Sequence, residues 1–259
     1  MRYLMIALQV EVKKTFRSYM LKIMFVIFTL AALLAAFFIY ILMDPDMARN
    51  TGMLGTYIDL YGGANWEIYV TFFKEIISIG GIIAFGFVLS WLFGREYSDG
   101  TMTDLLALPF ARVYIVLAKY LMSVIVSILL TIYMLLLGVL LGSILHIPDF
   151  SLPLLMNGIF DVIFISIMTL IISTPVAFFA MLGRGYLLPL GYVIVTVILS
   201  QIISVVGLGA YFPWSIPAIY SGVVGEEQIL TSGSLLILLG TGMAGIIVSF
   251  LYIEYAEQP

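Results

Sequence analysis

Residues 118–142 read AKYLMSVIVSILLTIYMLLLGVLLG, and Lys119 is the one charged residue among them. About 20 consecutive apolar residues in a helix are enough to cross the hydrocarbon core of a bilayer. Inside lipid each backbone N–H and C=O group must find its partner within the protein, and a helix meets this requirement by itself. We therefore expect this stretch to be a transmembrane helix.

Similar apolar runs recur along the whole chain, separated by short clusters of Gly, Pro, Asp and Lys. The six runs are residues 22–43, 74–93, 118–142, 158–182, 187–207 and 234–253. This pattern predicts an all-α, polytopic membrane protein whose six transmembrane helices form a single transmembrane domain over residues 1–259.

The composition excludes several classes of protein. Hydrophobic residues make up 63% of the chain and charged residues 10%, whereas a typical soluble domain carries about 25% charged residues. The absence of cysteine from the sequence rules out disulfides, thiolate metal ligands and a cysteine nucleophile. The net charge of −4 gives no basis for a nucleic-acid partner, and we expect membrane lipid as the surrounding medium.

The lysines and arginines indicate the orientation of the helices, because short cytoplasmic segments of membrane proteins accumulate these residues. Six spans place both termini on one side of the membrane. If that side is cytoplasmic, nine of the eleven cations lie inside, namely Arg2, Lys13, Lys14, Arg17, Lys22, Arg95, Arg112, Lys119 and Arg184. Only Arg49 and Lys74 then lie outside. We therefore predict a multi-pass protein of the plasma membrane with a cytoplasmic N-terminus and C-terminus.

Residues 1–21 precede the first span and predict a helix of a different kind. Its apolar residues recur at helical spacing on one arc, namely Leu4, Leu8, Val12 and Phe16. Its basic residues face the other way, namely Lys13, Lys14 and Arg17. We interpret the segment as an amphipathic helix that lies in the plane of the membrane interface. The alternative is that these residues are only the basic flank of the first span.

Residues 208–233 join the last two spans and contain Pro213 and Pro217 within a stretch that is still fairly apolar. The stretch is too interrupted for a complete transmembrane helix, because each proline removes a backbone donor. We expect a short re-entrant hairpin at the outer face, and a plain loop is the alternative.

The longest polar stretch on the predicted cytoplasmic side is residues 94–112, which read GREYSDGTMTDLLALPFAR. Gly100 ends the preceding helix, and Thr101 and Asp104 are spaced as in a capping box. Pro109 ends the new helix after about two turns. Its apolar face consists of Met102, Leu105, Leu106 and Pro109. Such a face requires a cover, which lipid or a soluble partner with a groove for a helix would provide.

The same loop contains a motif. The pattern E-x-x-x-G-T-x-x-x-L-L-x-x-P-x-x-R is formed by Glu96, Gly100, Thr101, Leu105, Leu106, Pro109 and Arg112. Placed after the second span, with Lys119 entering the third, it resembles the corresponding loop of ABC type-2 transporter permeases of the antibiotic or bacteriocin-peptide export type. In layout the resemblance covers the whole chain, and in motif it covers this loop.

The resemblance implies a connecting helix at the N-terminus, a cytoplasmic coupling helix within residues 95–112 and a re-entrant segment before the last span. It also implies that a separate cytoplasmic ABC ATPase docks on the coupling helix. The residues implied for this docking site are Glu96, Asp99, Gly100, Thr101, Met102, Leu105, Leu106, Pro109 and Arg112.

The ATP site of such a transporter is expected on the partner. A P-loop requires a Gly-Lys dipeptide, and the sequence contains none. We therefore expect no catalytic residue and no cofactor in this chain, with ATP-Mg bound to the ATPase subunit.

The resemblance further implies a second permease chain, in a homodimer or a heterodimer. Small residues four apart, such as Gly240/Ala244 and Thr241/Gly245, allow close helix packing, mostly within one chain.

Few side chains within the spans can support chemistry. Ionisable residues inside a span are costly and usually functional, which singles out Lys74, Glu75 and Asp161. Lys74 and Glu75 lie near the outer face, where their charges can reach the headgroups, so Asp161 is the best candidate for a substrate or gating residue.

Pro175 predicts a kink in the fourth span. The kink is either a hinge or, as we favour, only a fixed shape of the helix. His146 is the only histidine and lacks companions, so we expect no metal site.

These observations lead to the hypothesis of a permease subunit of an ABC exporter that moves an antimicrobial peptide or a lipophilic drug. One alternative is a non-transporting membrane scaffold that recruits a cytoplasmic partner through the coupling helix. Another is an ABC exporter for lipid, polysaccharide or ions. A proton-driven transporter and an intramembrane enzyme are disfavoured, because the spans show neither a chain of ionisable residues nor a nucleophile with a base.

Overall fold

The fold is taken from a computed structural model, which describes residues 2–44, 46, 48, 63–106, 111–222 and 230–255, and of Leu106 the backbone alone. All regular structure in these residues is helical, as the sequence predicts. The α-helices there are α1 (Arg2–Phe16), α2 (Tyr19–Leu42), α3 (Trp66–Glu75), α4 (Gly81–Ser98), α5 (Met102–Leu106), α6 (Val113–Ile144), α7 (Leu152–Ser173), α8 (Pro175–Leu182), α9 (Leu187–Val205), α10 (Ile216–Tyr220) and α11 (Ser232–Tyr255). A π-helical turn over Ile76–Gly80 joins α3 to α4, and 3₁₀ turns at Gly209–Tyr211 and Pro213–Ser215 precede α10.

Six helical segments of the described chain are long and apolar enough to cross a membrane. They are span one (α2), span two (α3, the π turn and α4), span three (α6), span four (α7 and α8), span five (α9) and span six (α11). The predicted all-α fold with six transmembrane helices is therefore confirmed.

Capping residues, rather than hydropathy, set where several of these helices begin. The side chain of Asn65 accepts a backbone N–H at 2.8 Å, so span two begins well before the apolar run over residues 74–93. Ser151 accepts a backbone N–H at 3.3 Å, so span four begins before the run over residues 158–182. Ser18 accepts one at 3.3 Å and separates α1 from span one.

Span two lies at the centre of the bundle. Its second half, α4, packs against spans three, four and five, and it is fully buried at Phe85, Val88, Leu89 and Leu92. Two glycines allow close approach: a Cβ on Gly86 would lie 2.6 Å from a methyl group of Val193, and a Cβ on Gly94 would lie 2.8 Å from the carbonyl oxygen of Gly185. Small residues at such crossings let helices pack through their backbones.

Span four is broken at Thr174 and Pro175, between α7 and α8. Proline has no N–H and its ring clashes with the preceding turn, so the helix cannot continue regularly. Span six packs on this break, since a Cβ on Gly245 would lie 2.5 Å from the Pro175 nitrogen. The hydroxyl of Thr174 also donates to the carbonyl oxygen of Gly242 at 2.8 Å. Span four is therefore interrupted at the residue where the sequence predicts a kink, and span six packs against this position.

The segment before span six folds back onto the bundle. Its 3₁₀ turns lead into α10, which is buried at Ile216, Ala218 and Ile219. α10 packs against α7 and the π turn. Residues 223–229 of the predicted re-entrant segment lie outside the described residues, and the depth of this segment in the bilayer stays a prediction.

Candidate functional site

We call the end of the bundle that holds Arg95 and Lys119 the inner end, and the end that holds Trp66 and Ser151 the outer end. At the inner end α1 packs along α6, and the face that it buries consists of Ala7, Glu11 and Thr15. Of the predicted apolar arc, the half-buried members are Leu4, Leu8 and Val12, while Phe16 is exposed. A polar residue therefore lies at the centre of the buried face of α1, and the placement of α1 in the membrane plane stays a prediction.

Glu11 belongs to a buried group of charges that we call the inner charge cluster, which consists of Glu11, Lys14, Arg95, Glu96 and Lys119. Glu96 is 2% exposed, Glu11 3% and Lys119 4%. Lys119 Nζ lies 2.7 Å from Glu96 Oε2 and 3.6 Å from Glu11 Oε1. Arg95 Nη2 lies 2.9 Å from Glu96 Oε1 and 3.5 Å from Glu11 Oε2. Lys14 Nζ lies 3.3 Å from Glu96 Oε1 and 3.7 Å from Glu11 Oε1.

The inner charge cluster joins α1, span two and span three. It contains three cations and two carboxylates, and Lys119 also donates a hydrogen bond to the carbonyl oxygen of Leu92. Removing one partner of a buried ion pair is strongly destabilising, because the remaining charge is left without compensation. The three helices are therefore tied together at the inner end.

The short helix α5 begins directly beside this cluster. Gly100 adopts a φ of +69°, a left-handed conformation that favours glycine. The N–H of Thr101 donates to the carbonyl oxygen of Glu96 at 2.9 Å, which is the long hydrogen bond of a Schellman cap. The end of span two is thus closed by this turn, and α5 begins at Met102.

The predicted apolar face of α5 is covered in part by the protein itself. Met102 is 5% exposed and belongs to the core, and Leu105 is half-buried against it. Pro109 and the side chain of Leu106 lie outside the described residues. Among the described side chains of α5 and the turn before it, the exposed ones are Asp99, Thr101, Thr103 and Asp104, which are all polar. This corrects the expectation of a free apolar face at Met102 and Leu105, since a partner would meet a polar, acidic edge here.

Two other residues of the motif are engaged within the chain. The carboxylate of Glu96 is buried in the inner charge cluster. The guanidinium of Arg112 donates to the carbonyl oxygen of Ile253 at 3.0 Å and so links the start of span three to span six. Asp99, Gly100 and Thr101 are exposed. The described motif residues therefore divide into internal anchors and a surface-exposed turn.

A second pair of charges lies in the outer half of the bundle. Lys74 Nζ is 2.5 Å from Asp161 Oδ2, with 23% and 37% of the two side chains exposed, and we call these residues the outer pair. The outer pair links α3 to α7. Tyr220 of α10 packs against Phe164, with ring centroids 5.0 Å apart. Burial and the nearby Asp161 carboxylate raise the pKa of Tyr220, so its phenol remains protonated at neutral pH.

The outer pair changes the interpretation of both of its residues. The sequence predicts that the Lys74 ammonium reaches the headgroups and that Asp161 is a lone carboxylate. In the structure the two side chains instead form an ion pair with each other. Paired charges within a membrane segment are far less costly than isolated ones.

The π turn follows α3 directly along the chain. The hydroxyl of Ser221 donates to the hydroxyl of Ser78 in this turn at 3.3 Å. Such turns are frequent at functional sites.

Sequence reasoning missed the role of Glu11 and Lys14 of α1, which belong to the inner charge cluster. The one signal was that Glu11 is the only acidic residue in residues 1–21 and shares a helical face with Ala7 and Thr15. A lone acid on a face of small residues indicates a polar contact inside the protein, because an unpaired buried carboxylate is costly. Its partners could not be read from this spacing.

His146 lies exposed at the outer end of span three with a φ of +52°. Beside it the indole N–H of Trp66 donates to the carbonyl oxygen of Ile147 at 3.0 Å. In the part of the chain that the structure describes, no three His, Cys, Asp or Glu side chains are grouped so as to hold a metal ion.

Together the fold and the two charge sites define a multi-pass α-helical membrane protein with a short helix anchored at its inner end. A family profile described as "ABC-2 family transporter protein" matches residues 7–202. The chain belongs to this family and is a transporter permease subunit. The matched residues extend from α1 into span five and include the inner charge cluster and the outer pair.

A curated relative supports the same class of protein. The bacitracin transport permease protein BCRB of Bacillus licheniformis is 24% identical to this chain over 140 residues, which are 54% of this chain and 67% of that protein.

Proposed function

We propose that the chain is the permease subunit of an ABC exporter and that a separate ABC ATPase binds it at the inner end. In this proposal the inner end faces the cytoplasm, as the distribution of Lys and Arg predicts. The observation that carries the proposal is the construction of α5. Its described exposed side chains are polar, while Met102 and the turn after Glu96 fix its base to the bundle. Because packed interiors transmit strain, a force on this edge would move the spans.

The inner charge cluster would distribute this movement. A displacement of α5 acts first on the turn at Gly100, whose hydrogen bond runs to Glu96. From Glu96 the ion pairs reach Lys119 of span three, and through Lys119 and Arg95 they reach Glu11 of α1. The approach of two ATPase subunits would therefore tilt three helices together and alternate the pathway between inward-facing and outward-facing states. ATP and Mg²⁺ would be bound by the ATPase.

At the outer end we propose a gating role for Asp161. Its carboxylate is occupied by Lys74 in this conformation, so cargo would reach it only when the outer pair separates. Separation would release α3 from α7 beside α10. Pro175 lies between the outer pair and the inner end. The proposal takes the hinge alternative for this residue, so that span four would bend there.

The proposed cargo is an antimicrobial peptide or a lipophilic drug. The name of the relative, a bacitracin transport permease, supports an antibiotic as cargo. A second permease chain, identical or different, would complete the pathway. An exporter of lipid, polysaccharide or ions and a non-transporting scaffold remain the alternatives that the experiment below distinguishes.

The proposal is tested by co-expressing the chain with an ABC ATPase in bacitracin-sensitive cells. Three permeases are compared: the wild type, Asp104→Arg on the exposed edge of α5, and Glu254→Arg as a matched charge reversal at an exposed acid of span six. Asp104→Arg should weaken ATPase co-purification and bacitracin protection by about tenfold or more, because like charges across an interface cost several kcal/mol. Glu254→Arg should retain both, and all three should insert equally.

A hydrolysis-deficient ATPase then separates the candidate functions. Protection stops for an exporter and persists for a scaffold. Retained ATPase binding by Asp104→Arg would contradict docking on α5. A working complex that leaves bacitracin sensitivity unchanged would contradict the proposed cargo and favour lipid, polysaccharide or ions.

A further inference from the structure

A second loop lies at the inner end, between α8 and α9. Its residues 183–186 read Gly-Arg-Gly-Tyr, and Arg184 is exposed. Arg184 adopts a φ of +49°, which is uncommon for a residue with a side chain. Strained conformations of this kind persist only where the surroundings impose them, and they cluster at functional sites.

The surroundings of Arg184 are rigid. Backbone hydrogen bonds hold the loop on the end of α8, from Gly183 to Phe179 (2.9 Å), from Arg184 to Met181 (3.2 Å) and from Gly185 to Ala180 (3.2 Å). On the other side a Cβ on Gly94 would lie 2.8 Å from the carbonyl oxygen of Gly185, so the loop touches the backbone of span two. The backbone of Arg184 is therefore held in place, and it presents the exposed side chain at a defined point of the inner end.

This loop adjoins the turn that leads into α5. The ring of Tyr186 lies against α4, since a Cβ on Gly94 would be 3.3 Å from it. The Oγ of Ser98, the last residue of α4, would in turn be 3.5 Å from a Cβ on Gly185. Burial raises the pKa of Tyr186, so its hydroxyl stays protonated at neutral pH. Asp99 and Gly100 follow Ser98 directly and are exposed. The two inner loops thus form one continuous surface.

The loop is also connected to the break in span four. α8 is the short rigid segment between Pro175 and residue 183, and it packs on α4 and on span six. Gly245 of span six supports the break from outside. A push on Arg184 would therefore turn α8 about Pro175, beyond which α7 carries Asp161.

We infer that Arg184 is a second contact for the ATPase, so that the docking surface combines the acidic edge of α5 with this cation. The inference rests on the proposed function and deepens it. The matching surface of the ATPase would present a carboxylate to the guanidinium, which such groups bind in bidentate geometry. Through α8 this contact would drive span four, which the inner charge cluster does not include.

The absence of cysteine from the sequence allows each contact to be probed alone. Single-cysteine variants Arg184→Cys, Thr103→Cys and Lys22→Cys are labelled with a benzophenone maleimide and irradiated in the full complex with the ATPase. We expect crosslinks to the ATPase from positions 184 and 103. We expect none from position 22, an exposed site on span one.

Charge variants then measure the contribution of the side chain. Arg184→Gly suits the positive φ and removes the guanidinium without strain, whereas Arg184→Lys keeps the charge. Arg184→Gly should weaken ATPase binding by about tenfold, as loss of an interfacial charge pair commonly does, and Arg184→Lys should weaken it less. Crosslinking from 103 without crosslinking from 184 would overturn the second contact and leave the proposed function intact. A complete absence of ATPase binding by the wild type would overturn both.

Discussion

The carboxylate of Glu96 contacts Lys14, Arg95 and Lys119 at a position that is almost closed to water. Such a buried group adds little net stability over a well-packed apolar one, but its removal leaves cations without compensation. The carbonyl oxygen of the same residue accepts the Thr101 N–H. The backbone and the side chain of one residue therefore connect α5 to α1 and span three.

Replacing Glu96 by glutamine should destabilise the protein by about 3–5 kcal/mol, because Lys119 stays buried with less opposite charge. Thermal unfolding of the purified protein, followed by tryptophan fluorescence, measures this effect. Glu254→Gln is the matched control, since Glu254 is exposed. Adding Lys119→Met to Glu96→Gln should recover part of the loss. An unchanged unfolding temperature for Glu96→Gln would show that the cluster is not a structural link.

The outer pair permits a charge-swap test of the proposed gate. Asp161→Asn should lower both the yield of folded protein and antibiotic protection, because the Lys74 ammonium then lies unpaired within the bundle. The double variant Lys74→Asp/Asp161→Lys should restore both, because a gate formed by the pair needs only opposite charges. A swapped protein that folds like the wild type but does not protect cells would instead assign Asp161 a direct contact with cargo.

Among the helices, spans four and six meet through glycine. A Cβ on Gly245 would clash with Pro175, and a Cβ on Gly242 would lie 2.3 Å from a methyl group of Ile171. At Gly240 a Cβ would meet nothing within 4 Å. The small residues of span six therefore have different roles, although Gly240 and Gly245 both belong to pairs of small residues four apart.

Gly245→Ala should destabilise the contact between spans four and six by about 1–3 kcal/mol, the usual cost of overpacking. Gly240→Ala is the matched control in the same helix, and it should be neutral or slightly stabilising because alanine is the better helix former. The unfolding temperatures of the two variants provide the comparison. Equal destabilisation by both would contradict the assigned close approach at Pro175.

The molecule as a whole presents apolar side chains over the outward faces of its spans, such as Ile194, Val195, Leu236 and Leu239. Among the residues that the structure describes, the buried charged ones, Glu11, Glu96 and Lys119, all belong to the inner charge cluster near one end. A surface of this kind is covered by lipid, and the excess of basic residues near the inner end predicts which leaflet that end meets.

Orientation is tested with single cysteines in the naturally cysteine-free chain. Thr103 is exposed at the inner end and Glu67 is exposed at the outer end, and each is replaced by cysteine in a separate variant. A membrane-impermeant maleimide added to intact cells should label position 67 only, and position 103 should react after permeabilisation. Labelling of position 103 in intact cells would invert the topology and remove the proposed ATPase site from the cytoplasm.

Sequence reasoning succeeded where a feature depends on neighbours along the chain. Each apolar run is long enough to span a bilayer regardless of what surrounds it, so the six helices were predictable. The turn at Gly100 and the start of α5 follow from local backbone preferences in the same way. The cover of the α5 face was not predictable, because helical spacing places Met102 on an apolar face without showing whether that face turns inward.

The amino-acid order alone thus decided the class of fold, the number of spans and the motif in the first inner loop. Only the packed structure decided the partners of the charges. Arg95 and Glu11 are 84 residues apart in the chain, and Lys74 and Asp161 are 87 apart. Whether such residues meet depends on how each helix is rotated and which helix it packs against, and hydropathy along the chain contains neither quantity.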